Sequence, residues 1–376
     1  MNEALRASAF HARTAAANRS NAWVTRNGVT LASIYTDANE EALIARTRVG
    51  LADLGGRRQL KLEGPRVVEF LQRLLTRDVK GLSPARAFKA LWLADGGGVR
   101  GAAVVARFGE ESFWLLSASR DFAWIRAAAS MYGVNIRDLS AERSGLAIIG
   151  PYTGATLENA GVDANLKPLA FRKVSWRGLE IILSRFGEHG GFELWCEPDD
   201  AIIVWDRIMQ AGARYAVAPL GTAAMDMLDL EAGIPRPYFD YTPAAVADAC
   251  EPSPRTLGLV SLVDLEHATF NGRRKFLKTA ERSTQRLVGV EIDSDRAAPH
   301  TPLTLDGRIV GHTLSSHYSP SLRRAIALAR IEESAANAGA RLSLTLPPGF
   351  SCPELRVVRA TVAVLPFLKE PDSFGA

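Results

Sequence analysis

The chain has 376 residues, of which 47% are hydrophobic and 23% are charged, and its formal net charge is +4. This composition excludes a fibrous or disordered protein, and the length predicts two or three domains. The basic residues are scattered rather than clustered, so no nucleic-acid partner is expected. The three cysteines, Cys196, Cys250 and Cys352, are too few and too dispersed for a disulfide framework, which suggests a reducing compartment. With neither a signal peptide nor a membrane-spanning apolar run, the chain is expected to be cytoplasmic, with no membrane partner.

The regular pattern begins after about 38 lightly patterned residues. A short helix is predicted over Glu40 to Arg48 with Asn39 as its cap, followed by a strand over 57–62 and a helix that starts at Gly64-Pro65.

A glycine-rich loop, Asp95-Gly-Gly-Gly98, joins two strand-like runs at 88–94 and 102–108. A dinucleotide-binding loop would have to open into a helix, whereas this one opens into a strand. The loop is therefore predicted to be a hairpin turn.

The pattern of elements then repeats. Helical and strand-like segments alternate in the order helix 121–131, strand 146–149, helix 153–160, strands 171–176, 179–184 and 192–196, and helix 199–210. Two successive passages of strand, helix, paired strands, helix and strand predict two ferredoxin-like halves with a cleft between them.

The last third of the chain changes character. A helix is predicted over 219–233, and five short β-like runs follow residue 281, which is typical of a small β-barrel. The predicted fold class is α+β, with an N-terminal extension, two ferredoxin-like halves at about 50–145 and 146–280, and a C-terminal β-barrel domain over 281–376.

The stretch from Phe186 to Pro198 carries the clearest candidate for chemistry. Its second half alternates apolar residues with Glu193 and Trp195 after a Gly-Gly turn, so Glu193 is predicted to point away from the apolar face. A carboxylate there, beside a glycine pair that admits a close neighbour, is suited to the N–H groups of a flat heterocycle. The same spacing also fits a solvated strand face.

This Gly-Gly-Phe-Glu-Leu turn resembles the Gly-Tyr/Phe-Glu segment of the glycine-cleavage T-protein family, the tetrahydrofolate-dependent aminomethyltransferases and demethylases. Further segments agree in order along almost the whole chain: Val49–Leu54 with "VGLFDVS", Phe70–Val79 with "FLQRLLTNDV", Leu230–Ile234 and Asp240 with "LEAGL…YGND", Ser319–Leu322 and Ile326–Ala329 with "SPTL…IALA", and Leu365–Lys369 with "LPFYK". The resemblance implies the fold described above and tetrahydrofolate as the cofactor, held in a central hole among the domains.

The resemblance also implies roles for individual residues. Glu193 corresponds to the acid that anchors the pterin ring, whose aminopyrimidinone edge presents two adjacent N–H donors to one carboxylate. Phe186 and Phe88 correspond to aromatic residues that line the folate, although both positions fit a plain core equally well. Val105 and Tyr238 complete the set of expected cofactor contacts.

Two departures from the family pattern stand out. Family members that release ammonia carry "GGIVDD", whereas this chain has Gly97-Gly-Val-Arg-Gly-Ala102, which puts Gly101 and Ala102 where the two acids would stand. That mode of proton handling is therefore lost. In addition, Met225 replaces an arginine that contacts the folate tail, and Arg236 is a candidate substitute.

These departures favour the demethylase branch, which includes dimethylsulfoniopropionate demethylase and the vanillate and syringate O-demethylases. The segment Glu188–Glu193 resembles their "SKQGGYEIY" turn, in which an aromatic residue two places after the Glu lies at the methyl-transfer site. Here that residue is Trp195, which is expected to pack the substrate, by cation–π attraction if the substrate is charged. His189 in the turn is a candidate for proton exchange, or a solvated loop histidine.

The expected function is thus a tetrahydrofolate-dependent demethylase for a small O-, S- or N-methylated metabolite. No histidines pair at metal-binding spacing, so no metal site is expected. One alternative is a glycine-cleavage aminomethyltransferase, which Gly101 and Ala102 argue against. The other is a non-catalytic folate-binding protein of the kind that assists iron–sulfur assembly, although Ala268–Lys275 lacks the cysteine of their "KGCYxGQE" segment. The oligomeric state stays open.

Overall fold

The computed structural model describes residues 5–245, 249, 251–266, 268–280, 284–346 and 355–368. Cys250, Cys352 and His267 lie outside these ranges. The chain divides into two compact units, of which the first contains the residues up to 91 together with 101–226, and the second contains 92–100 together with 227–369. The combination of mixed helix–sheet regions and a closed barrel confirms the predicted α+β class.

The described residues up to 231 contain fourteen strands and seven α-helices. In chain order these are β1 (Arg6–Ala7), α1 (His11–Ala17), β2 (Ala22–Arg26), β3 (Val29–Ile34), α2 (Ala38–Thr47), β4 (Gly50–Asp53), β5 (Arg58–Glu63), α3 (Val67–Leu74), β6 (Ala87–Leu93), β7 (Val99–Gly109), β8 (Ser112–Ser117), α4 (Phe122–Ser130), β9 (Asn135–Asp138), β10 (Ser144–Ile149), α5 (Thr153–Ala160), β11 (Phe171–Trp176), β12 (Leu179–Ser184), β13 (Phe192–Cys196), α6 (Ala201–Gly212), β14 (Ala218–Leu220) and α7 (Thr222–Glu231).

These strands form a small N-terminal sheet of order β1-β3-β2 and two larger sheets. The first large sheet has the order β6-β7-β8-β5-β9, and the second has the order β11-β12-β13-β10-β4-β14. Strand β4 directly precedes β5 in the chain, yet it pairs with β10 and β14 in the second sheet. The short connection between β4 and β5 therefore passes from one sheet to the other.

The second sheet has a different apolar core on each of its faces. On one face, Phe192, Leu194 and Cys196 pack with residues of α5 and α6. On the other face, an inter-sheet layer joins both large sheets and consists of Ala87, Val104, Ala106, Trp114, Leu116, Leu139, Phe171, Ile182, Phe186 and Trp195.

Helices α3 and α6 begin at Val67 and Ala201, two or three residues after their predicted starts, and two further predicted starts are wrong for a clear physical reason. Helix α2 is capped by Asp37 rather than Asn39, because the Asp37 carboxylate accepts the N–H groups of Asn39 and Glu40 at 2.9 and 3.0 Å. Helix α7 starts at Thr222 rather than at Pro219, because residues 218–220 pair in parallel with β4 as strand β14.

The glycine-rich loop is a hairpin turn, as predicted, between the neighbouring strands β6 and β7. Within the second unit its backbone is bonded to a later segment: the N–H of Gly98 donates to the Ala249 carbonyl at 2.9 Å, and the N–H of Val99 donates to the Pro252 carbonyl at 2.7 Å. The loop is thus occupied by polypeptide rather than shaped as a phosphate cradle.

The second unit contains α8 (Arg273–Ala280) and the predicted barrel. Six strands close it in the order β15-β18-β17-β16-β19-β20, namely β15 (Gln285–Ile292), β16 (Pro302–Leu305), β17 (Arg308–Ser319), β18 (Arg324–Glu332), β19 (Arg341–Leu346) and β20 (Arg356–Ala363). The sequence did not indicate β16, which is four residues long and begins with a proline.

Several family-like segments meet beside this barrel. The hydroxyl of Ser319 donates to the carboxylate of Glu231 at 2.6 Å, and the N–H of Leu368 donates to the Glu231 carbonyl at 3.1 Å. Leu230 and Ile326 share an apolar cluster with Leu365. These segments therefore stabilise the second unit through packing and hydrogen bonds.

A buried acid in β4 makes the stability of the first unit depend on pH. Burial raises the pKa of Asp53 to about 6, and hydrogen bonds from the Ser8 hydroxyl and the Gly55 N–H oppose that rise. The native state thus holds a proton on Asp53 at a pH where the unfolded chain has already released it. The stability that this proton provides is fully present below about pH 4 and is lost as the pH rises through about 6.

We predict that Asp53→Asn removes this pH dependence. Between pH 4.5 and pH 7.5 the wild type is expected to lose about 2 kcal/mol of unfolding free energy relative to the variant. This figure follows from the difference between the pKa of Asp53 in the folded protein and its ordinary pKa in the unfolded chain. Urea unfolding at both pH values measures the difference, with the exposed Asp306→Asn as a matched control. If the unfolding free energies of the wild type and Asp53→Asn differ by the same amount at both pH values, the prediction is contradicted.

Candidate functional site

Strand β13 lies between β12 and β10 in the second sheet, and this position fixes the direction of its side chains. Glu193 is paired with Ser184 of β12, and Trp195 is paired with Gly145 of β10. As the alternation predicts, Glu193 lies on the face opposite Phe192, and thus on the side of the inter-sheet layer. That face is not solvated, because Glu193 is buried.

The Gly-Gly turn before β13 has a structural cause. Gly190 and Gly191 both have a φ of 68°, and a Cβ at Gly191 would lie 2.1 Å from the carbonyl oxygen of Ile148. The close neighbour of this glycine pair is therefore the backbone of β10, and the expectation that the pair admits a ligand is replaced by a packing requirement.

The carboxylate of Glu193 is hydrogen-bonded on both of its oxygens. Oε1 accepts from Nη1 of Arg57 at 2.6 Å, in an ion pair whose side chains are 27% exposed on Arg57 and 2% exposed on Glu193. Oε2 lies 3.4 Å from the hydroxyl of Ser184, and that hydroxyl accepts from Nε1 of Trp195 at 3.3 Å. Neither Arg57 nor Ser184 could be identified from the sequence, because only the strand register and the crossing between sheets bring them to Glu193.

A glycine lies next to this carboxylate. Gly187 has an ordinary backbone φ, and a Cβ there would lie 3.7 Å from Oε1 of Glu193 and 3.4 Å from the Gly190 carbonyl oxygen. A longer side chain at this position would place further atoms next to the carboxylate. Each carboxylate oxygen can accept a second hydrogen bond, so the residues present fit a planar group with two adjacent N–H donors.

Trp195 is part of the core. The side chain is fully buried, and a Cβ on the paired Gly145 would lie 2.4 Å from its ring. The indole therefore fills the space that a glycine leaves on the neighbouring strand. In this arrangement it supports Ser184 and has no surface on which a substrate could pack.

The expected folate-lining residues lie in different places. Phe186 is buried in the inter-sheet layer and meets Phe171 edge-on, with ring centroids 5.7 Å apart. Phe88 and Val105 alternate with layer residues on β6 and β7, so they lie on the opposite face of the first large sheet. Tyr238 belongs to the second unit, where its N–H donates to the Tyr241 carbonyl at 2.8 Å. Within the first unit, the structure thus groups Phe186 and Trp195 with Glu193, but not Phe88 or Val105.

His189 lies in the motif turn and is only 4% exposed, which excludes the solvated-loop interpretation. The preceding residue, Glu188, forms an ion pair with Lys89 of β6. This pair connects the turn to the first large sheet.

The positions of the missing family acids are occupied by structural residues. Gly101 and Ala102 lie on β7, and the Ala102 carbonyl accepts the hydroxyl of Ser117 at 2.6 Å. In the second unit, Arg236 lies 3.2 Å from the carboxylate of Asp240, and its own N–H donates to the same oxygen. Arg236 is thus engaged within its own loop.

Other features of the described ranges lie apart from Glu193. A groove of about 590 Å³ is lined by residues of both large sheets, among them Lys61, Phe108, Trp114 and Lys173, but not by Glu193. In the part of the chain that the structure describes, no group of three or more His, Cys, Asp or Glu side chains is placed to hold a metal ion. Within the same residues, no helix is long and apolar enough to cross a membrane.

Comparison with known proteins agrees with this architecture. Residues 7–249 match the GCVT N-terminal domain, and residues 285–369 match the glycine cleavage T-protein C-terminal barrel domain. Relatives named aminomethyltransferase include proteins of Geobacillus kaustophilus, 32% identical over 83% of this chain and 87% of the relative, and of Thermotoga petrophila, 31% identical over 89% and 90%.

A solved structure shows the same fold. The glycine cleavage system aminomethyltransferase T from Bartonella henselae superposes with a TM-score of 0.86 at 22% identity, covering 98% of this chain and 99% of that one. Because both family domains match in order and the relatives align over most of their length, the chain belongs to the glycine cleavage T-protein family.

Proposed function

We propose that this chain is a tetrahydrofolate-dependent methyltransferase that demethylates a small O-, S- or N-methylated metabolite. The observation that carries the proposal is a combination of two features of the first unit. A buried, ion-paired carboxylate is present at Glu193, and side chains without a titratable group occupy positions 101 and 102. The chain thus keeps the means to hold a pterin and lacks the acids of the ammonia-releasing members.

The carboxylate of Glu193 is suited to a pterin edge by its charge and by its acceptor capacity. It already accepts from Arg57 and Ser184, and its remaining acceptor capacity matches two adjacent N–H donors. Gly187 places no side chain next to it. Tetrahydrofolate, when bound, would supply the nucleophilic nitrogen that accepts the methyl group.

The remaining residues shape the surroundings of that reaction. In a direct displacement the bond from the methyl carbon to the donor O, S or N atom would break, that atom would leave with the electron pair, and the proton released by the accepting nitrogen would balance the charge of the demethylated product. Such a step requires alignment and removal of water rather than an acid at positions 101 and 102. Phe186 and Trp195 keep water from one side of Glu193 because both are buried in the inter-sheet layer. His189 is the proposed proton-exchanging group, since it is an ionisable side chain within the motif turn itself.

An aminomethyltransferase of the glycine-cleavage type is the second candidate. The relatives that carry this name are about 30% identical over most of both chains, and that observation favours it. Gly101 and Ala102 argue against it, because they cannot handle the proton that release of ammonia requires.

Product analysis tests the proposal. The purified protein is incubated with tetrahydrofolate and a panel of methylated thioethers, sulfonium compounds, aryl ethers and amines. Formation of 5-methyl-tetrahydrofolate with one donor class is the expected result. Formation of 5,10-methylene-tetrahydrofolate and ammonia from an aminomethylated lipoyl carrier would instead establish the second candidate, and binding without any product would indicate a non-catalytic folate-binding protein.

We predict that Glu193→Gln weakens tetrahydrofolate binding by about tenfold or more, which is the scale of one lost charge-assisted pair of hydrogen bonds. Anaerobic titration followed by tryptophan fluorescence measures the dissociation constant, and Glu197→Gln on the exposed end of the same segment is the control. Equal affinity of the wild type and Glu193→Gln would disprove the pterin contact.

We also predict that Gly187→Leu abolishes tetrahydrofolate binding while the protein stays folded. The backbone accepts a side chain there, and a Cβ makes only ordinary contacts, but the longer chain would occupy the space beside Glu193. Gly109→Leu is the matched control, since a Cβ there meets no atom within 4 Å. Isothermal titration and thermal melting are measured on both variants; unchanged binding in Gly187→Leu would place the pterin elsewhere.

A further inference from the structure

The carboxylate of Glu193 is held by side chains from two other segments, Arg57 before β5 and Ser184 on β12, and nothing in the family pattern assigns them. We propose that Arg57 and Ser184 are positioning residues that orient Glu193 for the pterin edge, and that Trp195 acts on Glu193 through Ser184. This inference rests on the proposed function. It concerns how the protein distinguishes a pterin that carries the 2-amino group from one that does not.

Arg57 supplies the charge. Its backbone N–H donates to the Leu54 carbonyl at 2.9 Å, which fixes the start of its side chain in the connection between β4 and β5. From this partly exposed place the guanidinium reaches the buried carboxylate of Glu193 at 2.6 Å. Burial of a carboxylate is less costly when a cation is paired with it, and this pair holds Oε1 in one place.

Ser184 donates a hydrogen bond to Glu193, and its contact with Trp195 fixes that direction. The indole N–H of Trp195 can only donate, so its contact with Ser184 Oγ uses that oxygen as an acceptor. The serine hydroxyl hydrogen is then available to Oε2 of Glu193. The hydrogen bonds from Trp195 through Ser184 to Glu193 thus all run in one direction, and the β12–β13 register places Ser184 opposite Glu193.

The two contacts together restrict rotation of the carboxylate, because one acts on each oxygen. An oriented carboxylate can accept two neighbouring N–H donors side by side, whereas a freely rotating one would pay for its alignment in lost side-chain entropy on binding. This lower entropy cost strengthens binding only of a ligand that offers both N–H donors. Loss of orientation should therefore reduce the preference for the 2-amino group and leave contacts with the rest of the ligand unchanged.

The test is a set of double-mutant cycles read with two ligands, tetrahydrofolate and 2-desamino-2-methyl-tetrahydrofolate. Dissociation constants are measured for the wild type, Arg57→Met, Arg57→Lys, Ser184→Ala, Trp195→Phe and Glu193→Gln, and for Glu193→Gln combined with Arg57→Met or Ser184→Ala. Arg58→Met is the matched control, because Arg58 follows Arg57 directly and lies 3.5 Å from Asp138 rather than beside Glu193. Melting temperatures are recorded for all variants.

We expect Arg57→Met and Ser184→Ala to reduce the preference for tetrahydrofolate over the desamino compound by about three- to tenfold, the scale of one oriented hydrogen bond. Arg57→Lys should recover part of the preference, and Trp195→Phe should act in the same direction as Ser184→Ala. In the Glu193→Gln background, Arg57→Met and Ser184→Ala should have little further effect, since coupled residues are not additive. Arg58→Met should behave as the wild type does.

Two results would overturn the inference alone. One is an equal loss of affinity for both ligands in Arg57→Met and Ser184→Ala, and the other is full additivity of these changes with Glu193→Gln. If Glu193→Gln itself leaves tetrahydrofolate binding unchanged, the pterin site fails, and the inference fails with it. If Arg57→Met does not fold, the comparison of Arg57→Lys with the wild type still decides, because an unchanged ligand preference in Arg57→Lys and Ser184→Ala would contradict the positioning role.

Discussion

A carboxylate held almost out of contact with water is the constraint on which the site depends. Glu193 lies on a central strand with a fully covered face, so it requires a cationic partner. That partner, Arg57, is available because β4 joins the second large sheet while β5 joins the first, which places the connection between them beside β13. Because the consecutive strands β4 and β5 belong to different sheets, the guanidinium of Arg57 lies beside the buried carboxylate of Glu193.

The family resemblance carries two kinds of information. The segments around Glu231, Ser319 and Leu365 meet one another in the second unit, where they provide hydrogen bonds and apolar packing. Such segments identify the fold but do not distinguish one reaction from another. The proposed reaction depends instead on a few positions, among them Gly101 and Ala102 on β7.

Elements with strong local signals could be predicted from the sequence. Strands β11, β12 and β13 and helix α5 have the predicted bounds, because apolar alternation and glycine turns delimit them. The direction of Glu193 followed from the same alternation. What could not be predicted depends on contacts between distant segments: the membership of β4 in the second sheet, the cap by Asp37, and the pairing of Arg57 with a carboxylate 136 residues away. Resemblance alone likewise could not show that Phe88 and Val105 lie on the opposite face of the first large sheet from the inter-sheet layer.

A crystal structure of the protein with tetrahydrofolate tests the central claim most directly. The account predicts that two N–H donors of the pterin lie about 2.7–3.0 Å from the carboxylate oxygens of Glu193, with Arg57 and Ser184 still in contact with that carboxylate. A pterin bound elsewhere, or one bound without any hydrogen bond to Glu193, would contradict it.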